Sequence, residues 1–156
     1  MPIPLNHADA GVITLKAPTS GTVTFTLPSA DGTNAQVMQT NGSGVLSFVT
    51  PAPRVTSAAS ASSLTPNISV SDMYAYTALA AGLTINAPTG TPVDGGKLMF
   101  RLLDNGTARA LTWDATYTVI GVTLPTTTVV NKTTYVGCIY NANNTRWDVI
   151  AVTTQA

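Results

Sequence analysis

The sequence predicts an all-β fold: an antiparallel β-sandwich or jelly-roll-like C-terminal domain, a small β N-terminal module and an extended N-terminal arm. Three observations lead there. Thr is the commonest residue and Glu is absent, so strand formers outnumber surface helix formers. Apolar residues alternate at period 2 in a series of short runs. Clusters of Gly, Pro and Asn separate those runs and suit reversals of the chain.

The stretch that organises the rest is residues 97–113, KLMFRLLDNGTARALTW. In an extended chain Leu98, Phe100 and Leu102 share one face, and Met99, Arg101 and Leu103 share the other. One face is wholly apolar and the other mixed, as expected of a strand buried on one side and half-covered on the other. Asn105-Gly106 tolerates positive φ at both positions and is expected to return the chain as a β-hairpin through residues 108–113.

From the N-terminus, residues 1–10 read as an extended arm, because Pro2 and Pro4 remove backbone donors and exclude a regular helix. Ile3 and Leu5 are the arm's candidate anchors on a partner, joined by Val12 and Ile13 at the start of the following module. Residues 11–50 form that small β module. Val23, Phe25 and Leu27 alternate with Thr until Pro28 ends the run. Residues 36–40 and 45–49 are expected to pair across Asn41-Gly42-Ser43-Gly44. A module of about 40 residues without metal or disulfide is marginal alone, so it is expected to need partner chains.

Residues 51–63, TPAPRVTSAASASS with its preceding Thr50, break the pattern: two prolines and an Ala/Ser run read as a linker. Residues 64–156 form the main domain. Its candidate strands cover 67–70, 73–77, 83–86, 97–103, 108–113, 117–120, 133–140 and 146–152. The last two are joined by a turn at Asn141-Ala142-Asn143-Asn144.

Bulk composition narrows the function. The chain is 44% hydrophobic and 9% charged, against about a quarter in an average protein. Its 7 basic residues balance its 7 acidic ones, which gives no electrostatic footprint for nucleic acid or an anionic membrane. A neutral chain also has little self-repulsion and associates readily. No run is long and apolar enough to span a bilayer as a helix. No basic region followed by an apolar stretch opens the chain, so synthesis in a cytoplasm is expected.

The residues offer little chemistry. Cys138 is the single cysteine, which excludes an intrachain disulfide, and it reads as a small core residue. His7 is the single histidine and lies on the arm, a poor place for a nucleophile's base. Asp31, Asp94 and Asp104 each precede Gly or Asn-Gly, which is turn chemistry. Asp94-Gly95-Gly96-Lys97 lacks the spacing of a phosphate loop. No catalytic residue, metal ligand or cofactor-binding residue is assigned, and no enzyme activity or cofactor is expected. Trp113, Trp147, Tyr135 and Tyr140 are a candidate aromatic surface for a carbohydrate, with burial in a β core as the competing reading.

Two stretches carry a resemblance. Residues 24–48, TFTLPSADGTNAQVMQTNGSGVLSF, resemble a module common in bacteriophage tail fibres and other virion appendages, in which a TLP strand precedes a DG turn and a QVxxTxGSGxLSF hairpin. Residues 76–152, especially INAPTGTPVDGGKLMFRLLDNGTARALTWDATY and GVTLPTTTVVNKTTYVGCIYNANNTRWDVIAV, resemble a β-rich domain of phage structural proteins such as fibres and capsid decoration proteins. The resemblance implies a non-enzymatic, trimeric virion surface protein and brings no functional residues with it. The short chain with its own arm favours a homotrimeric capsid decoration (cement) protein that binds the major capsid protein on the virion surface. The alternative is a tail-fibre or receptor-binding protein that recognises host surface glycan.

Overall fold

The computed structural model describes residues 24–156. The chain divides into two compact units, Met1–Pro51 and Ala52–Ala156.

In the first unit, β1 (Val37–Thr40) and β2 (Leu46–Val49) pair antiparallel, with Met38 opposite Phe48 and Thr40 opposite Leu46. The reversal is built by Asn41, whose Oδ1 accepts from the N–H groups of Ser43 at 2.8 Å and Val45 at 3.2 Å. Gly44 sits at φ +85, and a Cβ there would fall 2.5 Å from the Thr24 carbonyl oxygen, so only glycine fits. Residues around Thr26 lie parallel beside β2: the Thr26 N–H donates to Gly44 O at 2.8 Å, and the Leu46 N–H donates to Thr26 O at 2.9 Å. The hairpin expected over residues 36–49 is therefore present.

The second unit is a coil of strands. β3 (Val55–Ala58) leads to β4 (Ser63–Leu64), β5 (Met73–Leu79) to β6 (Leu83–Ile85), and β7 (Lys97–Asp104) to β8 (Leu111–Trp113). The first member of each pair stacks in one sheet and the second in another. β3, β5 and β7 are parallel neighbours, as are β4, β6 and β8. Parallel neighbours need long crossovers. Here each crossover carries a strand of the opposite sheet, so the chain visits the same two layers on every pass, as repeat solenoids do. The chain then adds β9 (Tyr117–Val119), β10 (Thr134–Asn141) and β11 (Arg146–Thr154). β10 is antiparallel to both β7 and β11, and β9 is parallel to β11. The large sheet has the order β3-β5-β7-β10-β11-β9.

This overturns the expected antiparallel sandwich or jelly roll. The sheets are mixed and largely parallel, a pairing more usual in α/β proteins, yet the described residues contain no helix. The hairpin expected at Asn105-Gly106 fails for the same reason. β7 pairs with β5 and β10, whereas β8 belongs to the other sheet. The turn chemistry is there: Gly106 has φ +92 and its N–H donates to Asp104 Oδ1 at 2.9 Å. Such a turn redirects the chain without choosing the strand's partner. Period-2 alternation is equally silent, since parallel and antiparallel strands alternate alike.

Two local expectations also change. The stretch 51–63 was expected as a linker, but it contains β3 and reaches β4. Its Ala, Ser and Thr side chains lack an apolar period because β3 is an exposed edge strand. Residues 67–70, expected as a strand, form a turn in which Asn67 O accepts from the N–H groups of Val70 and Ser71.

The core lies between the two layers. Leu98, Phe100 and Leu102 are fully buried, as the alternation of β7 requires, while Met99 on the opposite face is exposed. Across from them Leu64, Leu83, Ile85 and Leu111 project from the smaller sheet. Phe100, Trp113 and Tyr117 meet edge to face, with ring centroids 5.3–5.8 Å apart. They come from β7, β8 and β9, so the three rings lock both layers to the segment that follows them.

Candidate functional site

The four candidate partner-contact residues Ile3, Leu5, Val12 and Ile13 lie outside the described residues. The four aromatic candidates do not form a surface. Trp113 is half-buried against the core, and its Nε1–H donates to Pro125 O at 2.8 Å. Trp147 is buried against half-buried Tyr140, with ring centroids 5.3 Å apart. Tyr135 is the most exposed of the four, 37%, on the outer face of β10. Period 2 accounts for the split: on β10, Tyr135 points opposite to buried Val136 and Cys138.

Tyr135 belongs to an open cleft of about 420 Å³, lined with it by Thr133, Thr153, Thr154 and Gln155. The walls are pinned across β10 and β11. The Gln155 N–H donates to Thr133 O at 2.9 Å, and the Thr133 N–H donates to Gln155 Oε1 at 3.3 Å. An aromatic ring among hydroxyls and an amide is suited to polar, uncharged ligands; it offers neither a nucleophile nor a base.

A second cleft, of about 200 Å³, is lined by Arg54, Asp72, Lys97 and Trp147 among others. Two of its charged side chains pair with each other. Arg54 Nε donates to Asp72 Oδ2 at 2.8 Å, Nη1 to Ser69 O at 2.9 Å and Nη2 to Ile68 O at 3.0 Å, with a further Nη2 contact to Asp72 Oδ1. The Arg54 hydrogen bond holds the Asp72 carboxyl below its ordinary range. The ion pair ties the start of β3 to the turn before β5.

Asp104, Asp148 and Cys138 are held by burial or by hydrogen bonds within the fold. Asp104 is buried at the end of β7. Burial pushes its carboxyl up, but hydrogen bonds from the Asn131 N–H, the Thr128 hydroxyl and the Gly106 N–H outweigh that and hold it below the usual carboxylate range. Asp148 accepts from Asn141 and Arg146, which lower it likewise. Burial pushes the Cys138 thiol up to about 12, so it stays protonated and is a poor nucleophile. Among the described residues no group of three or more His, Cys, Asp or Glu side chains converges as a metal site would.

The most unusual surface is on the N-terminal unit. No residue from 24 to 51 is buried. Phe25, Leu27 and Met38 are 56%, 67% and 52% exposed, and Val37 and Val45 are exposed as well. The sequence placed Phe25 and Leu27 on one side of an alternating run and predicted a marginal core for the module. Its one warning was the shortage of apolar residues for a core of that size. Natural monomers rarely leave such residues uncovered together.

No family model matches the chain, and no curated protein matches it significantly.

Proposed function

We propose that this chain is a bacteriophage virion structural protein, a homotrimeric capsid decoration (cement) protein that binds the assembled shell and stabilises it. The observation that carries this reading is the N-terminal module. Its sequence is one of the two stretches that resemble phage virion proteins, and among its described residues Phe25, Leu27, Val37, Met38 and Val45 are exposed. In this reading the partners are sister copies and the major capsid protein, with Ile3, Leu5, Val12 and Ile13 contacting the shell or a neighbouring copy. The protein is made in the host bacterial cytoplasm and ends on the capsid surface. It acts by mass action rather than by catalysis: a protein that binds only assembled subunits stabilises the assembled state. A trimer that touches several shell subunits at once gains further from multivalency.

The cleft at Tyr135 favours a second reading, a tail-fibre protein that binds host glycan, because a ring edged by hydroxyls is suited to a sugar. Immunogold labelling of virions with antibody to this chain separates the two. Gold spread over heads supports decoration. Gold confined to tails, with adsorption of the purified protein to host cells, supports the fibre.

A further inference from the structure

On the outer face of the large sheet, the end of β11 lies beside the start of β10. Tyr135 and Thr153 are Cα partners across these two strands. Period 2 places Thr133 on the face of Tyr135 and Gln155 on the face of Thr153. With Thr154 they line the open cleft of about 420 Å³. That size falls within the range of about 300–1,000 Å³ found for small-ligand sites.

The hydrogen-bonding capacity of the rim can be assigned group by group. Gln155 Oε1 accepts from the Thr133 N–H at 3.3 Å, so the amide nitrogen of Gln155 is left to donate. The Thr133 and Thr153 hydroxyls can each donate and accept. The Thr154 hydroxyl is turned toward that of Thr134, 3.0 Å away. The Gln155 N–H also donates to Thr133 O at 2.9 Å. These cross-strand bonds hold the rim in place before a ligand arrives, which lowers the ordering cost of binding.

An aromatic face bordered by neutral groups that donate and accept matches a pyranose. The C–H face of the sugar lies on the ring, and its hydroxyls exchange hydrogen bonds with the rim. Charge decides between classes of sugar. All five lining residues are uncharged. Arg101 is the Cα partner of Tyr135 on β7, but β7 and β11 flank β10 on opposite sides. A carboxylated sugar in the cleft would lose hydration from its charge and meet no counter-charge among the lining residues. A neutral sugar carries no such cost.

We propose that this cleft binds a neutral pyranose, stacked on Tyr135 and hydrogen-bonded by Gln155, Thr133 and Thr153. It rests on the glycan-binding reading of the preceding section and names the class of sugar.

Saturation-transfer NMR on the full chain tests it. The neutral probes are the methyl glycosides of glucose, galactose, mannose and N-acetylglucosamine; the charged ones are glucuronic and N-acetylneuraminic acids. At least one neutral glycoside is expected to take up saturation, and both acids are expected to take up less. Tyr135→Ala is expected to abolish the transfer and Tyr135→Phe to retain it, because the ring is what stacks. Gln155→Ala is expected to weaken it. An unchanged circular dichroism spectrum checks that each variant is folded. No transfer to any neutral glycoside, or transfer that survives Tyr135→Ala, overturns the site. Transfer to the acids alone, lost with Arg101→Gln, overturns the neutral assignment. The two readings fail separately. Neutral-sugar binding by a protein that does not adsorb to host cells removes the fibre and keeps the site. Adsorption undiminished by Tyr135→Ala does the reverse.

Discussion

The ring of Phe100 on β7 meets the ring of Trp113 on β8 edge-on, with centroids 5.3 Å apart and planes at 82°. The sequence placed the two residues on the two strands of one hairpin. They meet instead across the interior, one from each sheet. Phe100→Ala should therefore loosen both layers at once, at a cost of about 3–5 kcal/mol by denaturant unfolding. A double-mutant cycle with Trp113→Ala should show a coupling of about 0.5–1.5 kcal/mol. Additive effects would mean that the rings do not touch.

Parallel pairing of the smaller sheet has its own test. Thr84 and Thr112 are Cα partners on β6 and β8, and both are exposed. A Thr84→Cys/Thr112→Cys protein should form an intrachain disulfide on oxidation, since adjacent strands bring paired Cβ atoms within bridging range. Peptide mapping identifies the bond. Its absence would contradict the coil.

Asp104 sets an acid limit on stability. Its folded-state pKa is depressed, so its contribution is fully present above the unfolded value of about 3.9 and is lost as pH falls through the lower folded value. Unfolding free energy should be flat near neutrality with respect to this group and fall below about pH 4. Asp104→Asn should lower stability at pH 7 by about 1–3 kcal/mol, the loss of charge-assisted bonds at a buried site. It should also flatten the acid slope, because the group that titrates is gone. An Asn variant with the wild-type slope would assign acid sensitivity to Asp72 or Asp148.

Cys138 should be inert in the native protein. A thiol pushed up to about 12 and shut into the core carries almost no thiolate at pH 8. Labelling by a thiol-specific reagent should require denaturant and track global unfolding. Fast native labelling would place the residue outside the core.

The sequence was most informative where the signal was local. The alternation over residues 97–103 identified Leu98, Phe100 and Leu102 as interior, and the Asn-Gly-Ser-Gly run located the β1–β2 reversal. Strand partners were not legible, because alternation records which face is buried and says nothing of the neighbour. Asn105-Gly106 shows the same gap: its φ demand was met, but Asp104 uses the turn to gather Thr128 and Asn131 rather than to pair β7 with β8. The edge strand β3 was hidden by small polar residues, whose pairing depends on backbone alone. The aromatic surface was lost because Trp113 finds its hydrogen-bond acceptor at Pro125, inside the fold. The small module was half legible: too few apolar residues for a core was a property of composition, but which of them are exposed needed the structure.

Under the proposed function the chain assembles as a homotrimer. Sedimentation equilibrium of the full-length protein at neutral pH tests it most directly. The account predicts a single species of three times the 16.1 kDa chain mass, persisting on dilution to micromolar concentration. A stable 16.1 kDa monomer with a folded N-terminal module would contradict it.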